Sequence, residues 1–412
     1  MSTETEPPHA TALRLWAASC GARMHPALYF AQDAGGMAVH TRTNLPPDTA
    51  VISAPFSIAI TPKIALDALQ LLVGDALRNL SERELVNSYV AMHWILLGND
   101  VLKHAPYVDS LPDRSLLRTP LHFTPEERQL LTGTNMVAAT AEREQAWREE
   151  WARCCAAFAD VAWANAFTWE HYLTAATHLS SRAFPSTLLS STPSLVATPD
   201  SHPVLLPLID SLNHARAHPV SWSVSSPSHE SDISIVQHQA TPAGSEVFNN
   251  YGPKPNAELI LGYGFALPNN PDDTLVLKLS GAAERREIGR DGRNVDAVWE
   301  DICTAMGVED EDEETRLGIE YDAVKMLGDM LRGRLEALPI LPEQPTPGVR
   351  GDVLDMLRHY VDGQRDVVRD AIQWAEEKAI ELERLGGDIG LDLRAEFEGD
   401  ERDVQDDDED GK

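Results

Sequence analysis

The chain has 412 residues, of which 43% are hydrophobic and 24% are charged, and its formal net charge is −31 at pH 7. This length is enough for two or three domains, and the composition is typical of a soluble globular protein. The excess of acidic side chains argues against direct binding to nucleic acid, which requires a basic surface, and favours a basic protein partner. The four cysteines form no pair at metal-ligand spacing, so we expect no structural zinc site and a reducing compartment.

The N-terminal residues 1–12 are acidic and contain two adjacent prolines, so they lack the basic and apolar regions of a signal peptide. We predict that this segment is disordered. No apolar run approaches the ~18 residues of a membrane span. We therefore expect a monomer in the cytoplasm, the nucleus or both, without a membrane partner.

Residues 13–61 alternate short apolar runs with turn residues, which is typical of a small β structure. The runs GGMAVHT and TAVISAP predict two strands, and TNLPPDT predicts the turn between them. Over residues 62–180 the pattern becomes helical and predicts an insertion. Within it, Ser81 and Glu84 form a capping box that predicts a helix ending near Leu97.

A second helix is predicted over residues 142–167, where apolar side chains recur at intervals of three and four residues. The recurring side chains are Trp147, Trp151, Cys154, Phe158 and Val161. Residues 181–283 return to a strand-rich pattern, with strands predicted at SWSV and ISIVQHQA. The Ser/Thr/Pro-rich segments 186–203 and 225–232 predict exposed loops.

Residues 284–395 predict the amphipathic helices of a bundle, because apolar residues recur with helical spacing at 317–335 and 368–382. The last segment, residues 396–412, holds ten acidic and two basic side chains and predicts a solvated acidic tail. The predicted order is strands, helical insertion, strands and helical domain. This order indicates an α+β fold.

The segment FNNYGPKPNAELILGYGF, residues 248–265, contains two Tyr-Gly pairs on either side of a short predicted helix. Glycine permits a tight turn after each tyrosine. The helix would then set the separation of Tyr251 and Tyr263, and we expect both phenols to face one site.

A possible metal-ligand stripe lies in PLIDSLNHARAHP, where Asp210, His214 and His218 recur every four residues. A proline brackets the segment on each side, and the sequence shows no further ligand group. We therefore expect no metal. The alternative is that Asp210 and Asn213 satisfy local backbone groups in a buried turn.

Three motifs occur in a fixed order: SSRAF at 180–184, PLIDSLNH at 207–214, and SEVFNNYG with NAELILGYGF at 245–265. With the helical insertion before them and helices after them, they resemble the SET-domain protein-lysine methyltransferases of the Rubisco large-subunit methyltransferase type. That subfamily includes the fungal ribosomal-protein lysine methyltransferases. The resemblance covers roughly residues 13–395 and implies a SET core of short strands, a helical insertion and an all-α C-terminal substrate-binding domain.

The resemblance also implies roles for single residues. Asn213 and His214 would hold the adenosyl end of S-adenosyl-L-methionine, and Arg182 would lie beside the cofactor and the bound substrate. Asp210 would line the same site nearer the target side chain. Tyr251 matches the catalytic tyrosine of the family.

Further positions match the family near the cofactor and the acceptor. Tyr263 corresponds to a second tyrosine near the cofactor, and Thr49 and Val51 fall where the family binds the cofactor through backbone groups. Phe184 and Phe265 would wall the channel for the acceptor side chain, or else pack in the core.

One departure from the family lies near the N-terminus, where the Gly-x-Gly motif aligns with Ala34, Gly35 and Gly36. The first glycine is replaced by alanine. Gly35 and Gly36 still permit a close approach of the backbone to the cofactor.

The implied chemistry is an in-line displacement that moves a methyl group from a sulfonium to an amine, without a metal or a covalent enzyme intermediate. The amine must be neutral, although the pKa of free lysine is about 10.4, and desolvation in an aromatic channel lowers that pKa. The resemblance thus implies an S-adenosylmethionine-dependent protein-lysine N-methyltransferase acting on a basic non-histone protein such as a ribosomal protein. The alternatives are a catalytically inactive SET-fold interaction module, a protein-histidine methyltransferase and a histone-lysine methyltransferase.

Overall fold

The computed structural model describes residues 6–33, 36–190, 192, 194–225, 232–278, 285–308 and 311–394. The helices are α1 (Pro8–Ser19), α2 (Pro62–Val73), α3 (Glu82–Ile95), α4 (Ala105–Val108), α5 (Pro125–Gln129), α6 (Met136–Ala157), α7 (Trp169–Arg182), α8 (Asn256–Tyr263), α9 (Val295–Ala305), α10 (Glu313–Ala337) and α11 (Gly351–Ile389). The strands are β1 (Arg23–Met24), β2 (Leu28–Asp33), β3 (Gly36–Thr41), β4 (Thr49–Pro55), β5 (Phe184–Pro185), β6 (Pro203–Val204), β7 (Val220–Val224), β8 (Asp232–Gln237), β9 (Thr274–Leu277) and β10 (Arg286–Gly289).

The chain divides into two compact units, and each unit is built from two chain segments. Unit 1 comprises Met1–His122 and Ala141–Pro253, and unit 2 comprises Phe123–Thr140 and Lys254–Lys412. Strands β1 to β8 lie in unit 1, whereas helices α8 to α11 and strands β9 and β10 lie in unit 2. The predicted α+β fold, with small sheets and a helical C-terminal region, is therefore confirmed.

The main sheet of unit 1 is antiparallel, with its four strands in the order β1-β4-β8-β7. Strand β4 pairs with β8 along its length, with a bulge between Ala50 and Ile52. In β8, alternate residues Ile233, Ile235 and Gln237 are buried, which is the period-two pattern of a half-buried strand. The predicted strands GGMAVHT, TAVISAP, SWSV and ISIVQHQA correspond to β3, β4, β7 and β8 and are confirmed.

Helix α3 of the insertion begins at the predicted capping box. The Glu84 backbone N–H donates to Ser81 Oγ at 3.3 Å, and the Ser81 N–H donates to the Glu84 carboxylate at 2.6 Å. The helix ends at Ile95, two residues before the predicted end at Leu97.

The predicted helix over residues 142–167 is wrong in its extent, because α6 runs over Met136–Ala157. The apolar spacing continues past its end, but there it belongs to a turn: the ring of Phe158 lies 5.3 Å from the ring of Trp163 and 5.0 Å from that of Phe167. The aromatic cluster fixes that turn, and a spacing rule cannot separate such a cluster from one more helical turn.

The prediction of disorder over residues 1–12 is wrong from Pro8 onwards, because α1 begins there. Proline fits the first turn of a helix, and Ala10, Leu13 and Ala17 are buried along one face. Ahead of the helix, the Glu6 carboxylate accepts a hydrogen bond from Arg14 at 2.8 Å. Residues 1–5 lie outside the described part of the chain.

Helices α10 and α11 dominate unit 2 and contain the predicted amphipathic segments 317–335 and 368–382. Leu327 and Leu331 of α10 share one core cluster with Val367 and Val368 of α11. A short antiparallel hairpin, β9–β10, precedes these helices. Unit 2 is therefore helical with one added hairpin.

The boundary after Pro253 lies thirty residues earlier than the one predicted after residue 283. The reason is packing within unit 2: Ile260 of α8 is buried in one cluster with Val353, Leu357 and Tyr360 of α11. The same cluster contains Met136, which explains why Phe123–Thr140 belong to unit 2.

Two predicted segments, the loop within residues 225–232 and the acidic tail 396–412, fall largely or wholly outside the described residues. Among the helices that the structure describes, none combines the length and the apolar character of a membrane span.

Candidate active site

Two motifs that are distant in sequence meet through their backbones in unit 1. His214 and Asn249 form a parallel bridge. On its two sides, the Asn249 N–H donates to the Asn213 carbonyl at 2.7 Å, and the Ala215 N–H donates to the Asn249 carbonyl at 2.9 Å. The LNH and NNYG motifs are thus fixed to each other by main-chain hydrogen bonds, which do not depend on side-chain rotamers.

Tyr251 is held against this bridge by three contacts. Its backbone N–H donates to His214 Nδ1 at 3.0 Å, and its ring stacks on the His214 ring with centroids 5.0 Å apart. Its phenolic O–H donates to the Leu212 carbonyl at 2.9 Å. Because Nδ1 of His214 accepts a hydrogen bond, the ring proton lies on Nε2 and the imidazole is neutral. After Tyr251, Gly252 has a φ of +90°, as expected for a glycine that permits a tight turn.

A buried charged group adjoins this motif. Arg182 at the end of α7 donates through Nη1 to the Asp210 carbonyl at 3.1 Å, and the same atom lies 3.7 Å from Asp210 Oδ2. The Tyr107 O–H of α4 donates to Asp210 Oδ2 at 2.6 Å. Burial raises the pKa of Asp210, and Arg182 and Tyr107 partly offset that effect because each stabilises the anion. Tyr251 also interacts electrostatically with Arg182, so the predicted residues Arg182, Asp210 and Tyr251 are brought together.

Asn213 presents a polar edge on the exposed side of the motif. Its Nδ2 donates to Glu246 Oε1 at 2.8 Å and to the Met37 carbonyl at 3.3 Å. Beside Met37, Gly36 has a φ of +126°, which L-side chains rarely adopt, and a Cβ placed there would meet nothing within 4 Å. Ala34 and Gly35, the other residues of the altered glycine motif, lie outside the described residues.

Asp33, His40 and Glu246 place their ligand atoms within 4.8 Å of one another. These atoms already have partners in the protein: His40 Nε2 pairs with Asp33 Oδ2 at 2.9 Å, and Glu246 accepts from Asn213. The group is accounted for as a hydrogen-bonded cluster at the edge of the site. The expectation of no metal stays a prediction.

The stripe of Asp210, His214 and His218 is not a helical stripe, because Ile209–Ser211 form a single 3₁₀ turn and the next residue is extended. Each side chain has a separate partner. Asp210 accepts from Tyr107, His214 accepts from Tyr251, and His218 contacts the side chain of Gln237.

Several predicted site residues have contacts that define no role. Thr49 donates to the Pro46 carbonyl at 2.7 Å, and the Val51 carbonyl accepts from the His25 N–H at 2.8 Å. Phe184 packs on Trp222, with ring centroids 5.0 Å apart. The predicted roles of Thr49, Val51 and Phe184 stay predictions.

Tyr263 and Phe265 lie in unit 2, where their rings are 6.1 Å apart. Tyr263 is the last residue of α8, and Gly264 ends that helix with a φ of +78°. Burial raises the pKa of Tyr263. The prediction that Tyr251 and Tyr263 face one site stays a prediction.

Two residues with contacts in the candidate site, Tyr107 and Glu246, were not predicted from the sequence. Tyr107 lies in HAPYVDSLP, which contains no motif, and its contact with Asp210 spans 103 residues. Glu246 lies within the motif SEVFNNYG, so its position in that motif was the one signal available for it.

The relatives described here are ribosomal lysine N-methyltransferases. No protein-family model matches the chain. The chain is 32% identical over 270 residues to ribosomal lysine N-methyltransferase set10 of Schizosaccharomyces pombe. The aligned region covers 63% of this chain and 46% of that protein. It is 30% identical over 217 residues to ribosomal lysine N-methyltransferase 1 of Saccharomyces cerevisiae, covering 43% and 34% respectively. The chain thus spans half or less of the length of these curated relatives.

Solved structures match over nearly the whole chain. The SET domain of LSMT, crystallised with methyllysine and AdoHcy, superimposes with a TM-score of 0.67 at 17% identity, covering 94% of this chain and 97% of that one. Rubisco LSMT with AdoMet superimposes with a TM-score of 0.65 at 18% identity, covering 93% and 97%. The fold of this chain is that of a SET-domain protein of the Rubisco large-subunit methyltransferase type, and the resemblance predicted from its motifs is confirmed.

Proposed function

We propose that the chain is an S-adenosylmethionine-dependent protein-lysine N-methyltransferase that acts on a basic non-histone protein, with ribosomal proteins as the first candidates. The observation that carries the proposal is the fixed position of Tyr251, whose backbone, ring and hydroxyl are each held by the 212–214 segment. The similarity to two ribosomal lysine N-methyltransferases supports the reaction and the substrate class. The proposed compartments are the cytoplasm, the nucleus or both.

The residues around Asn213 fit the cofactor. S-adenosylmethionine carries an amine, a carboxylate, hydroxyls and a purine edge, all of which need hydrogen-bonding partners. Asn213 offers an exposed amide, Glu246 offers a carboxylate, and Gly36 offers backbone with open space above it. When bound, the cofactor would supply a methyl group activated by its sulfonium. Asn213, His214 and Gly36 would hold it.

The remaining residues would orient the acceptor. The Tyr251 hydroxyl donates its proton to the Leu212 carbonyl, so its oxygen keeps lone pairs that can accept a hydrogen bond from an amine N–H. The Asp210 carboxylate, faced by Arg182, places one negative charge in a buried position nearby. Both groups would hold the nitrogen of the acceptor in line for displacement, which is a positional contribution to the rate.

A direct test uses tritiated S-adenosylmethionine and total ribosomal protein from a strain that lacks the gene. We expect the wild-type protein to label a small number of bands. Tyr251→Phe should lower that rate by about 10²-fold or more, because the loss of a positioned hydroxyl removes an interaction made at the reacting centre. Tyr172→Phe, at another buried tyrosine of unit 1, is the matched control and should remain active.

The inactive-module alternative predicts a different result. A SET-fold protein that has lost catalysis would label no band. It would also show no thermal stabilisation by S-adenosylhomocysteine, because a ligand stabilises the folded state only where it binds it. Absence of both effects in the wild-type protein would overturn the proposed function.

A further inference from the structure

Tyr107 is a buried tyrosine on a one-turn helix of the insertion, 1% exposed, and no motif signals it. We propose that Tyr107 is a positioning residue of the methyl-transfer site. Its phenolic O–H holds the Asp210 carboxylate as the anion that Arg182 faces, and it leaves the other carboxylate oxygen for the amine of the acceptor. This inference rests on the proposed function and adds a residue of the insertion to it.

The first observation is the geometry of the two carboxylate oxygens. Oδ2 of Asp210 accepts the Tyr107 O–H at 2.6 Å and lies 3.7 Å from Arg182 Nη1. Oδ1 is buried and, among the residues that the structure describes, has no hydrogen-bond partner. The side chain of Asp210 is only 2% exposed. A buried carboxylate oxygen without a partner is costly, and such atoms in native proteins usually have a ligand, a water or a function.

The second observation is that Tyr107 occupies one oxygen selectively. Because Oδ2 accepts the hydrogen bond from the phenol, Oδ1 is the carboxylate oxygen that remains able to accept one from a ligand. An amine donates N–H groups, and in its ammonium form it is also attracted to a negative charge, so a lysine side chain is the ligand chemistry that this oxygen matches. The same cluster contains Tyr251, whose hydroxyl is bound to Leu212, two residues after Asp210.

The third observation concerns charge. Arg182 from α7 and Tyr107 from α4 face Asp210, and Tyr251 in turn interacts with Arg182. His178, one turn before Arg182 on α7, stays neutral, because burial and the Arg182 charge lower its pKa to about 3. Asp210 is therefore the anion that offsets Arg182 in this group. If Asp210 took up a proton, the uncompensated Arg182 charge would repel a cationic acceptor.

Removal of the Tyr107 hydroxyl therefore changes the pKa of Asp210 in a predictable direction. Burial raises the pKa of Asp210, and the Tyr107 hydrogen bond opposes that rise. In Tyr107→Phe the pKa of Asp210 rises further, so the carboxylate is protonated over a wider range of pH. Activity should fall at the acid end of the profile and recover at the alkaline end, where Asp210 ionises even without the phenol.

The experiment compares Tyr107→Phe with Tyr172→Phe. Tyr172 is the matched control, since it is also a buried tyrosine of unit 1 and also donates to a carboxylate, that of Glu150, at 2.6 Å. Initial rates of methyl transfer to sub-saturating total ribosomal protein are measured from about pH 6.5 to 9 and divided by the wild-type rate. This ratio cancels the titration of the acceptor amine itself.

We expect the ratio for Tyr107→Phe to be reduced about tenfold near neutral pH, the factor given by one lost charge-assisted hydrogen bond, and to approach unity at alkaline pH. The ratio for Tyr172→Phe should be flat with pH. Calorimetric affinity for S-adenosylhomocysteine should change by less than about twofold in both variants, because the effect is on the acceptor. Parallel profiles for the two variants would overturn the inference.

A second variant keeps the test decisive if Tyr107→Phe does not fold. Asp210→Asn carries a neutral group at all pH values, so its ratio to wild type should be low at every pH at which wild-type Asp210 is the anion. A ratio near unity across the measured range would contradict the proposal. Where both single variants fold, Tyr107→Phe should have no further effect in the Asp210→Asn background, since Tyr107 acts through Asp210. A wild-type protein that transfers no methyl group would instead overturn the proposed function, and this inference with it.

Discussion

Tyr251 has each of its parts fixed by a different atom of one short segment. The backbone is held by the His214 imidazole, the ring by the face of that imidazole, and the hydroxyl by the Leu212 carbonyl. A side chain with so little rotameric freedom loses little entropy when a reacting group arrives beside it. At the scale of single residues, the candidate site is therefore held in one arrangement by contacts within the protein itself.

Asn213 supports a prediction about the cofactor. We expect Asn213→Ala to weaken binding of S-adenosylhomocysteine by about tenfold, because the loss of an amide removes one or two hydrogen bonds worth roughly 1 kcal/mol each. Turnover at saturating cofactor should change much less. Titration calorimetry gives the affinity, and steady-state rates give the turnover.

The control for this change is Asn44→Ala, at another exposed asparagine of unit 1 whose side chain accepts from the Ala243 N–H at 2.9 Å. That variant should bind as the wild type does. Unchanged affinity in Asn213→Ala would mean that the LNH motif is structural, serving through its contacts with Glu246 and Met37 alone.

At the scale of elements, the short helix α5 is joined to the start of α11 by one buried ion pair. Glu127 is 0% exposed and accepts from the Arg350 backbone N–H at 2.9 Å, from Arg350 Nε at 2.8 Å and from Arg350 Nη2 at 2.9 Å. It also accepts from the Thr124 N–H at 3.0 Å in a capping box. Burial alone would raise the pKa of Glu127, but the hydrogen bonds from Arg350 lower it below its ordinary value.

Glu127→Ala should destabilise unit 2 by about 3–5 kcal/mol, because it leaves the partly buried Arg350 charge without its partner. Urea unfolding followed by tryptophan fluorescence measures the change. Because the folded pKa of Glu127 is depressed, its contribution is present at neutral pH and is lost as pH falls through that pKa. Glu126→Ala, at the exposed neighbouring position, should change stability by less than about 0.5 kcal/mol. Equal effects of the two changes would contradict this account.

The sequence predicted those elements whose signal is local. Strand β8 alternates buried and exposed residues, and α3 has a capping box, so both were found. Helix α1 was missed because its first turn follows an acidic, proline-containing start that resembles a disordered segment. The end of α6 was misplaced because Phe158 continues the helical spacing while packing in an aromatic turn.

In the candidate site, too, only the residues with a local sequence signal were predicted. Arg182, Asp210, Asn213, His214 and Tyr251 stand in motifs and were predicted. Tyr107 was not, because its contact with Asp210 depends on the packing of the insertion, across 103 residues of chain. Contacts of that separation leave no periodic or compositional signal in a single sequence.

At the scale of the whole molecule, buried histidines make the free energy of unfolding depend on pH. His104 is buried and its Nδ1 lies 2.6 Å from the Tyr89 hydroxyl; burial, with the nearby His93, lowers its pKa from 6.5 to about 4. His178 behaves similarly, with a pKa of about 3. In the unfolded chain both rings bind a proton near pH 6.5, so the unfolded state takes up protons first as pH falls.

We therefore expect unfolding free energy to fall between about pH 6.5 and 4, by as much as roughly 3 kcal/mol for His104 alone. Urea midpoints at a series of pH values measure the slope. His104→Gln should reduce this slope even if the variant is less stable overall, since one of the titrating groups is gone. His9→Gln, at an exposed position of α1, should retain the wild-type slope, and equal slopes in all three proteins would refute the assignment.

The division of the chain has a consequence for its biosynthesis. Phe123–Thr140 leave the ribosome well before Lys254–Lys412, the segment with which they form unit 2. Until α11 has been made, Glu127 has no Arg350, and the apolar side chains of Leu131 and Met136 have no core to enter. The nascent chain must therefore carry residues 123–140 without their packing partners until residues 254–412 have been made, and during that interval their apolar side chains are exposed to chaperones. A premature stop anywhere before α11 would leave two defects rather than one: a missing C-terminus and an orphaned segment in the middle of the insertion.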